Sequence, residues 1–148
     1  MESFKILGQA ASNGTNEIEL YSVPVTSASS AGSSITYTRA YDPPVQTLVT
    51  SIIICNTSAA SGHEDFSLML YDSSSGEDGS STSVKNYLLR NISVNHQETK
   101  VLSLGLTLSA RTNSSTPSSA TKGDVLKFTL GTGSSTNVAV TAMGVEIT

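Results

Sequence analysis

The sequence predicts an all-β chain: a single antiparallel β-sandwich, jelly-roll or Ig-like, of about eight strands joined by Ser/Thr-rich loops. Three observations predict it. Apolar residues recur at every second position in several short runs, and no window holds an i, i+3, i+4, i+7 stripe that outdoes this period. The longest apolar run, 45–56 (VQTLVTSIIICN), is dominated by Val, Ile and Thr. Branching at Cβ stiffens χ1 in these residues and favours the pleated sheet over the helix. The runs are separated by polar stretches of turn-forming composition. At 148 residues, the length suits one domain spanning 1–148 with enough chain to bury a core.

Taken in order, the first apolar stretch is Phe4–Leu7, an edge strand that ends at Gly8. ASNGTN follows as a turn. In EIELYSV (17–23), Ile18, Leu20 and Ser22 alternate with Glu17, Glu19, Tyr21 and Val23, and Pro24 stops the strand. Residues 25–44 read as an insertion in the form of a hairpin flap. Low-complexity VTSASSAGSS leads into SITYTRAY, and Pro43-Pro44 closes it. The 45–56 run is the central strand. Alternation sets Thr47, Val49, Ser51 and Ile53 on one face and Leu48, Ile52 and Ile54 on the other, so the run is apolar on both sides. A strand with one solvated face does not need that, and the second face therefore calls for a cover: a loop, the flap or another subunit. EDFSLMLYD (64–72) is the expected hairpin partner of this run. A polar loop, DSSSGEDGSSTS, precedes the strand VKNYLLRNISV (84–94). NHQE turns the chain into a strand with Leu102, Leu104, Leu106 and Leu108 at period two, and Gly105 marks a bulge or bend. A second low-complexity loop, 109–122, precedes VLKFTL, where Leu126, Phe128 and Leu130 point inward. NVAVTAMGVEIT forms the last strand.

Composition narrows the function classes. Charged residues make up 14% of the chain and apolar residues 37%, and Ser with Thr fill roughly 30%, well above ordinary usage. The net charge is −4. The eight basic residues are scattered, so the Lys/Arg patch that nucleic-acid binding requires is missing. No apolar stretch approaches the 18 residues of a membrane span, and the N-terminal MESFKILGQAA lacks the pattern of a secretory signal. The lone Cys55 reads as a small buried hydrophobe in a protein made in a reducing cytoplasm.

A search for chemistry returns little. There is no G-x-S-x-G, H-E-x-x-H, C-x-x-C or phosphate-cradling glycine loop. His63 and His96 both sit beside turns, away from any partner set in the sequence. The acidic residues Glu64, Asp65, Asp72, Glu77 and Asp78 lack the alternating ligands and terminal bidentate Glu of a calcium loop. The five tyrosines occur without Trp or a basic groove and read as sheet and rim residues. The expectation is a non-enzymatic protein with no catalytic residues, no metal and no cofactor.

Several segments together resemble a known group. KILGQ near the start, LYSVP at 20–24, VTSIIICN at 49–56, GLTL at 105–108, GDVLKF at 123–128 and GVEIT at the end are similar to small virion structural proteins of tailed phages, cyanophages among them. Their usual pattern runs K-[IV]-L-G-Q, LYTVP, SS-I-x-[VI]-C-N, GITL, A-[TG]-D-V-[IV]-x-[VF] and G-x-E-I-[TS]. The order of the motifs carries the resemblance, which covers about half the residues. This chain departs by extra length in 25–44, 72–83 and 109–121. The resemblance implies a protein of the virion, made in the host cytoplasm, that works by contact. Capsid decoration or cement is preferred over a small tail, neck or fibre component or a host-surface, carbohydrate-binding module. It implies other virion proteins as partners, the major capsid protein foremost, and a homo-oligomer or symmetric array, with no nucleic acid and no membrane. The candidate interaction surface is Phe4, Ile6 and Leu7 of an N-terminal arm, Ile35, Tyr37 and Tyr41 of the flap, and Ile52 and Ile54 of the central run.

Overall fold

The computed structural model describes residues 3–12, 14–23, 26–29, 36–39, 46–58, 62–71, 85–109, 124–131 and 137–147. The strands there are β1 (Ser3–Ser12), β2 (Ile18–Ser22), β3 (Thr26–Ser29), β4 (Thr36–Arg39), β5 (Gln46–Asn56), β6 (His63–Tyr71), β7 (Lys85–Asn95), β8 (Thr99–Ser109), β9 (Val125–Leu130) and β10 (Val138–Ile147), and no helix occurs among the described residues. Eight of them form two four-stranded antiparallel sheets, in the orders β1-β10-β5-β8 and β2-β9-β6-β7. The second order is the first with each strand replaced by its neighbour along the chain. The chain therefore changes sheet at every connection between successive sandwich strands except β6 to β7, six in all, which is the jelly-roll arrangement and not the Ig-like one. The two loops expected at 72–83 and 109–122 lie outside the described residues, except that Ser109 ends β8. The insertion before β5 carries a separate two-stranded ladder, β3 with β4, running from Thr26↔Arg39 to Ser29↔Thr36.

One pairing expectation is corrected. The 64–72 strand is not the hairpin partner of the central run: β6 pairs with β7 and β9 in the opposite sheet. The reason lies at the end of β5. Asn56 N–H donates to Glu98 O at 2.9 Å, Thr57 N–H to Asn137 O at 2.8 Å, and Asn56 Nδ2 to Val94 O across the sandwich at 3.1 Å. These bonds carry the chain out of its own sheet instead of back along it.

A second correction concerns faces. In β5 the buried residues are Thr47, Val49, Ile52, Ile54 and Asn56, so the alternation slips by one residue midway. The slip is a bulge. Met143 opposes Ser51 and Gly144 opposes Val49, which leaves Thr50 as the extra residue, its hydroxyl donating to Met143 O at 3.2 Å. Leu7 is the extra residue of β1 against β10, and the β5–β8 register shifts beside Gly105, so irregularities line up across the whole first sheet. Glycine is required along this line. A Cβ on Gly144 would lie 2.1 Å from Leu48 O, and one on Gly8 would lie 1.9 Å from Leu20 O. The same effect alters β2, where a register shift between Glu19 and Tyr21 leaves Leu20, Tyr21 and Val23 all buried rather than on alternating faces.

The core lies between the sheets. Phe66 and Phe128 stack with ring centroids 5.7 Å apart, beside Leu68 and Leu126 of the second sheet and Val49, Ile52, Ile54 and Val140 of the first. Full burial of each such side chain contributes about 1.5–3 kcal/mol, which makes this seam the main source of stability.

Candidate interaction surface

Polar side chains close the sandwich at both ends. At one end, Tyr21 of β2 donates to Glu146 Oε1 of β10 at 2.8 Å, and its phenol oxygen lies 2.8 Å from Thr47 Oγ1 of β5. The single phenolic proton serves the carboxylate, so Thr47 is the donor to Tyr21. Lys5 of β1 bonds the other carboxylate oxygen. Burial and, beyond it, the hydrogen bond and charge of Glu146 push the Tyr21 hydroxyl above the usual tyrosine range, despite the opposing Thr47 bond. Burial raises Glu146 as well, but the hydrogen bonds from Lys5 and Tyr21 and the lysine charge outweigh it and hold the carboxyl below its usual value. At the other end, Asn56 Nδ2 binds Val94 O while its Oδ1 accepts Ser58 N–H at 3.0 Å. Lys100 of β8 reaches across to Ser93 O of β7 at 2.5 Å.

These contacts use every charged residue of the first sheet. Lys5, Lys100 and Glu146 are the only charges in β1, β5, β8 and β10, and all three side chains serve contacts on the inner side. The outer face of that sheet is left without a charge among the described residues. Phe4 pairs with Val145, Ile6 with Met143, Val145 with Leu48, and Ile53 with Val101, so each pair of neighbouring strands carries an apolar contact, while Thr107 opposite Leu48, Ser51 opposite Met143 and Thr141 opposite Ile53 interleave uncharged polar residues. Two of the polar pairs bond within the face: Gln9 Nε2 to Thr141 Oγ1 at 3.1 Å, and Thr99 Oγ1 to Cys55 Sγ at 3.3 Å. Phe4, Ile6, Val101 and Ile147 are exposed.

The second sheet is the opposite. Its outer face carries Glu19, Asp65, Lys85, Arg90 and Lys127. Lys85 Nζ lies 4.9 Å and Arg90 Cζ 5.1 Å from the Tyr87 ring centroid, and Lys127 Nζ lies 4.4 Å from that of Tyr71. Glu17 binds Lys85 at 2.5 Å and accepts a hydrogen bond from Tyr71. The Lys85 and Tyr71 hydrogen bonds hold the Glu17 carboxyl below its usual value.

Set against the expectations, Phe4 and Ile6 lie exposed on this uncharged outer face. They belong to a ten-residue strand at the sheet edge and not to a free arm. Leu7, the bulge residue, packs partly against the core. Tyr37 lies in β4, and Ile35 and Tyr41 fall outside the described residues. Ile52 and Ile54 are corrected: both are wholly buried in the sandwich core, because the Thr50 bulge turns them inward beside Val49. Ile53, Leu48, Met143, Val145 and Val101 take their place on the outer face. The signal for them in the sequence was the lack of any charge in 45–56 and its near lack in 137–148. His63 is exposed and 3.6 Å from Asp65, His96 is exposed in its turn, and no cluster of three or more metal-ligating side chains occurs among the described residues. Glu64 and Asp65 point to opposite faces of β6, while Asp72, Glu77 and Asp78 fall outside the described residues.

No family model matches the sequence, and no curated protein matches it. Among solved structures, the fold is similar to that of a chain of the T13 IBDV viral particle, with a TM-score of 0.52 at 9% sequence identity. The alignment covers 99% of this chain and 31% of that one, so this chain spans about a third of its neighbour's length. At that identity the likeness is one of fold.

Proposed function

We propose that this chain is a non-enzymatic structural protein of a phage virion and that it acts as a capsid decoration or cement protein. The observation that carries the reading is where the phage-like motifs fall in the fold. KILGQ lies in β1, LYSVP ends β2, VTSIIICN lies in β5, GLTL in β8, GDVLKF spans the start of β9, and GVEIT closes β10. Three of these segments meet physically: Lys5 of KILGQ and Tyr21 of LYSVP both bond Glu146 of GVEIT. Among the described glycines, those of KILGQ and GVEIT are the ones where a Cβ would strike backbone. The motifs therefore encode a particular sandwich with a particular line of bulges, and they gather no nucleophile, base or metal set. The similarity in fold to a chain of a viral particle supports the same reading.

A cement protein works by adding buried area across seams between capsid subunits, without chemistry of its own. The major capsid protein is the expected partner. Quantitative mass spectrometry of purified virions tests the proposal. A capsid role requires copies on the order of hundreds, and a neck, tail or fibre role a dozen or so, because each follows the symmetry of its location. Absence of the protein from purified particles would refute a virion role altogether.

A further inference from the structure

We infer that the uncharged outer face of the β1-β10-β5-β8 sheet is the surface through which two copies of this chain pack, face to face, about a twofold axis. The occupant follows from charge. A partner surface that carries charges would have them stripped of water against a face that offers no counter-charge, and burial of an unpaired charge costs several kcal/mol. Of the two sheet faces this chain presents, the second carries Glu19, Asp65, Lys85, Arg90 and Lys127, whereas the first carries none among its described residues. The first face is therefore complementary to itself, as an isologous interface requires.

Size supports the same occupant. Four strands about 4.8 Å apart, each about ten residues long at about 3.3 Å per residue, make a flat face on the order of 600 Å². Side-chain relief adds to this, and a stable interface takes about 800 Å² from each partner. Phe4 at 59%, Ile6 at 52% and Val101 at 63% exposure stand proudest and supply that relief. Edge-to-edge pairing is disfavoured, because both edge strands carry an inward-bonded lysine, Lys5 in β1 and Lys100 in β8. The faces stack instead, as sheets do in a sandwich about 10 Å apart. This inference does not depend on the virion reading and stands or falls on the purified protein.

Sedimentation equilibrium of the full chain is the test. Across a concentration series reaching about 100 µM, a range that detects micromolar association, the wild type should reach twice the 15.4 kDa chain mass. Val101→Glu and Ile6→Glu each place two like charges in a twofold interface and should weaken association at least about tenfold. Tyr87→Glu, an equivalent change on the other sheet, should leave it unaltered. Cys55, on the outer face, provides a second readout: its alkylation should slow as concentration rises and the dimer forms. A wild type that stays at 15.4 kDa throughout overturns the inference. So does a dimer indifferent to both face substitutions, or one that Tyr87→Glu dissociates equally. A monomer whose Cys55 resists alkylation at every dilution would assign the cover of this face to the same chain and overturn it as well.

Discussion

Replacing Ile54 by Ala and, separately, its neighbour Ile53 by Ala reads the Thr50 bulge directly. Ile54 has no exposed surface and packs in the seam between the sheets, whereas Ile53 faces outward opposite Val101. Truncating a fully buried Ile costs about 2–5 kcal/mol, from lost transfer energy plus the cavity left behind. With about 3 kcal/mol lost at Ile54, a domain of this size should melt some 6–12 °C lower. Ile53 is only partly covered in the single chain, so its truncation should cost about 1 kcal/mol or less. Urea denaturation at low micromolar concentration, where dimer contacts contribute least, gives both values from the shift in midpoint at constant m. Equal losses, or a larger loss at Ile53, would refute the bulge and restore the unbroken alternation in which Ile53 shares the face of Val49.

Further outcomes are expected from the same structure. Gly144→Ala should cost at least about 3 kcal/mol or yield no folded protein, since backbone must move to admit the new Cβ. Gly105→Ala, whose Cβ would meet nothing within 4 Å, should change the melting temperature far less. Asn56→Ala should cost about 1–3 kcal/mol by removing the buried bonds that Asn56 makes to Val94 O and Ser58 N–H, measured by the same denaturation. Tyr21→Phe should cost about 1–2 kcal/mol at pH 7 and should also change the acid limb of stability. The folded Glu146 carboxyl lies below its ordinary 4.5. Its contribution is therefore present above that value and is lost as pH falls through the folded one. Removing the phenol lets the folded value rise, so the variant should lose less stability than the wild type between neutral pH and the acid range. An unchanged difference between the two across a pH series of melts would show that the Tyr21–Glu146 bond does not hold the carboxyl down.

The fold class was legible because period-two patterning is a local property. A strand lies within each of the runs read at 17–23, 45–56, 64–72, 84–94, 99–108, 125–130 and 137–148. The inward positions of Leu126, Phe128 and Leu130 followed directly from alternation. Phe4 and Ile6 were read as surface on a different ground, a free N-terminal arm, whereas they stand exposed on the edge strand β1. The burial of Ile52 and Ile54 was not legible. Parity along a strand holds only while the strand keeps its register with its neighbours, and the bulge at Thr50 arises from pairing with β10, which lies far along the chain.

By itself, the sequence determined an all-β chain of short strands, poor in charge. Tertiary structure alone decided that the sandwich is a jelly roll and that β6 lies across from β5 and not beside it. It also decided that the doubly apolar run turns Ile52 and Ile54 inward, while all three charges of one sheet bond on its inner side. Partner choice and register depend on hydrogen bonds and packing between segments distant in the chain. The energy that selects among sheet orders of the same strands is a property of the assembled sandwich and of no single stretch of it.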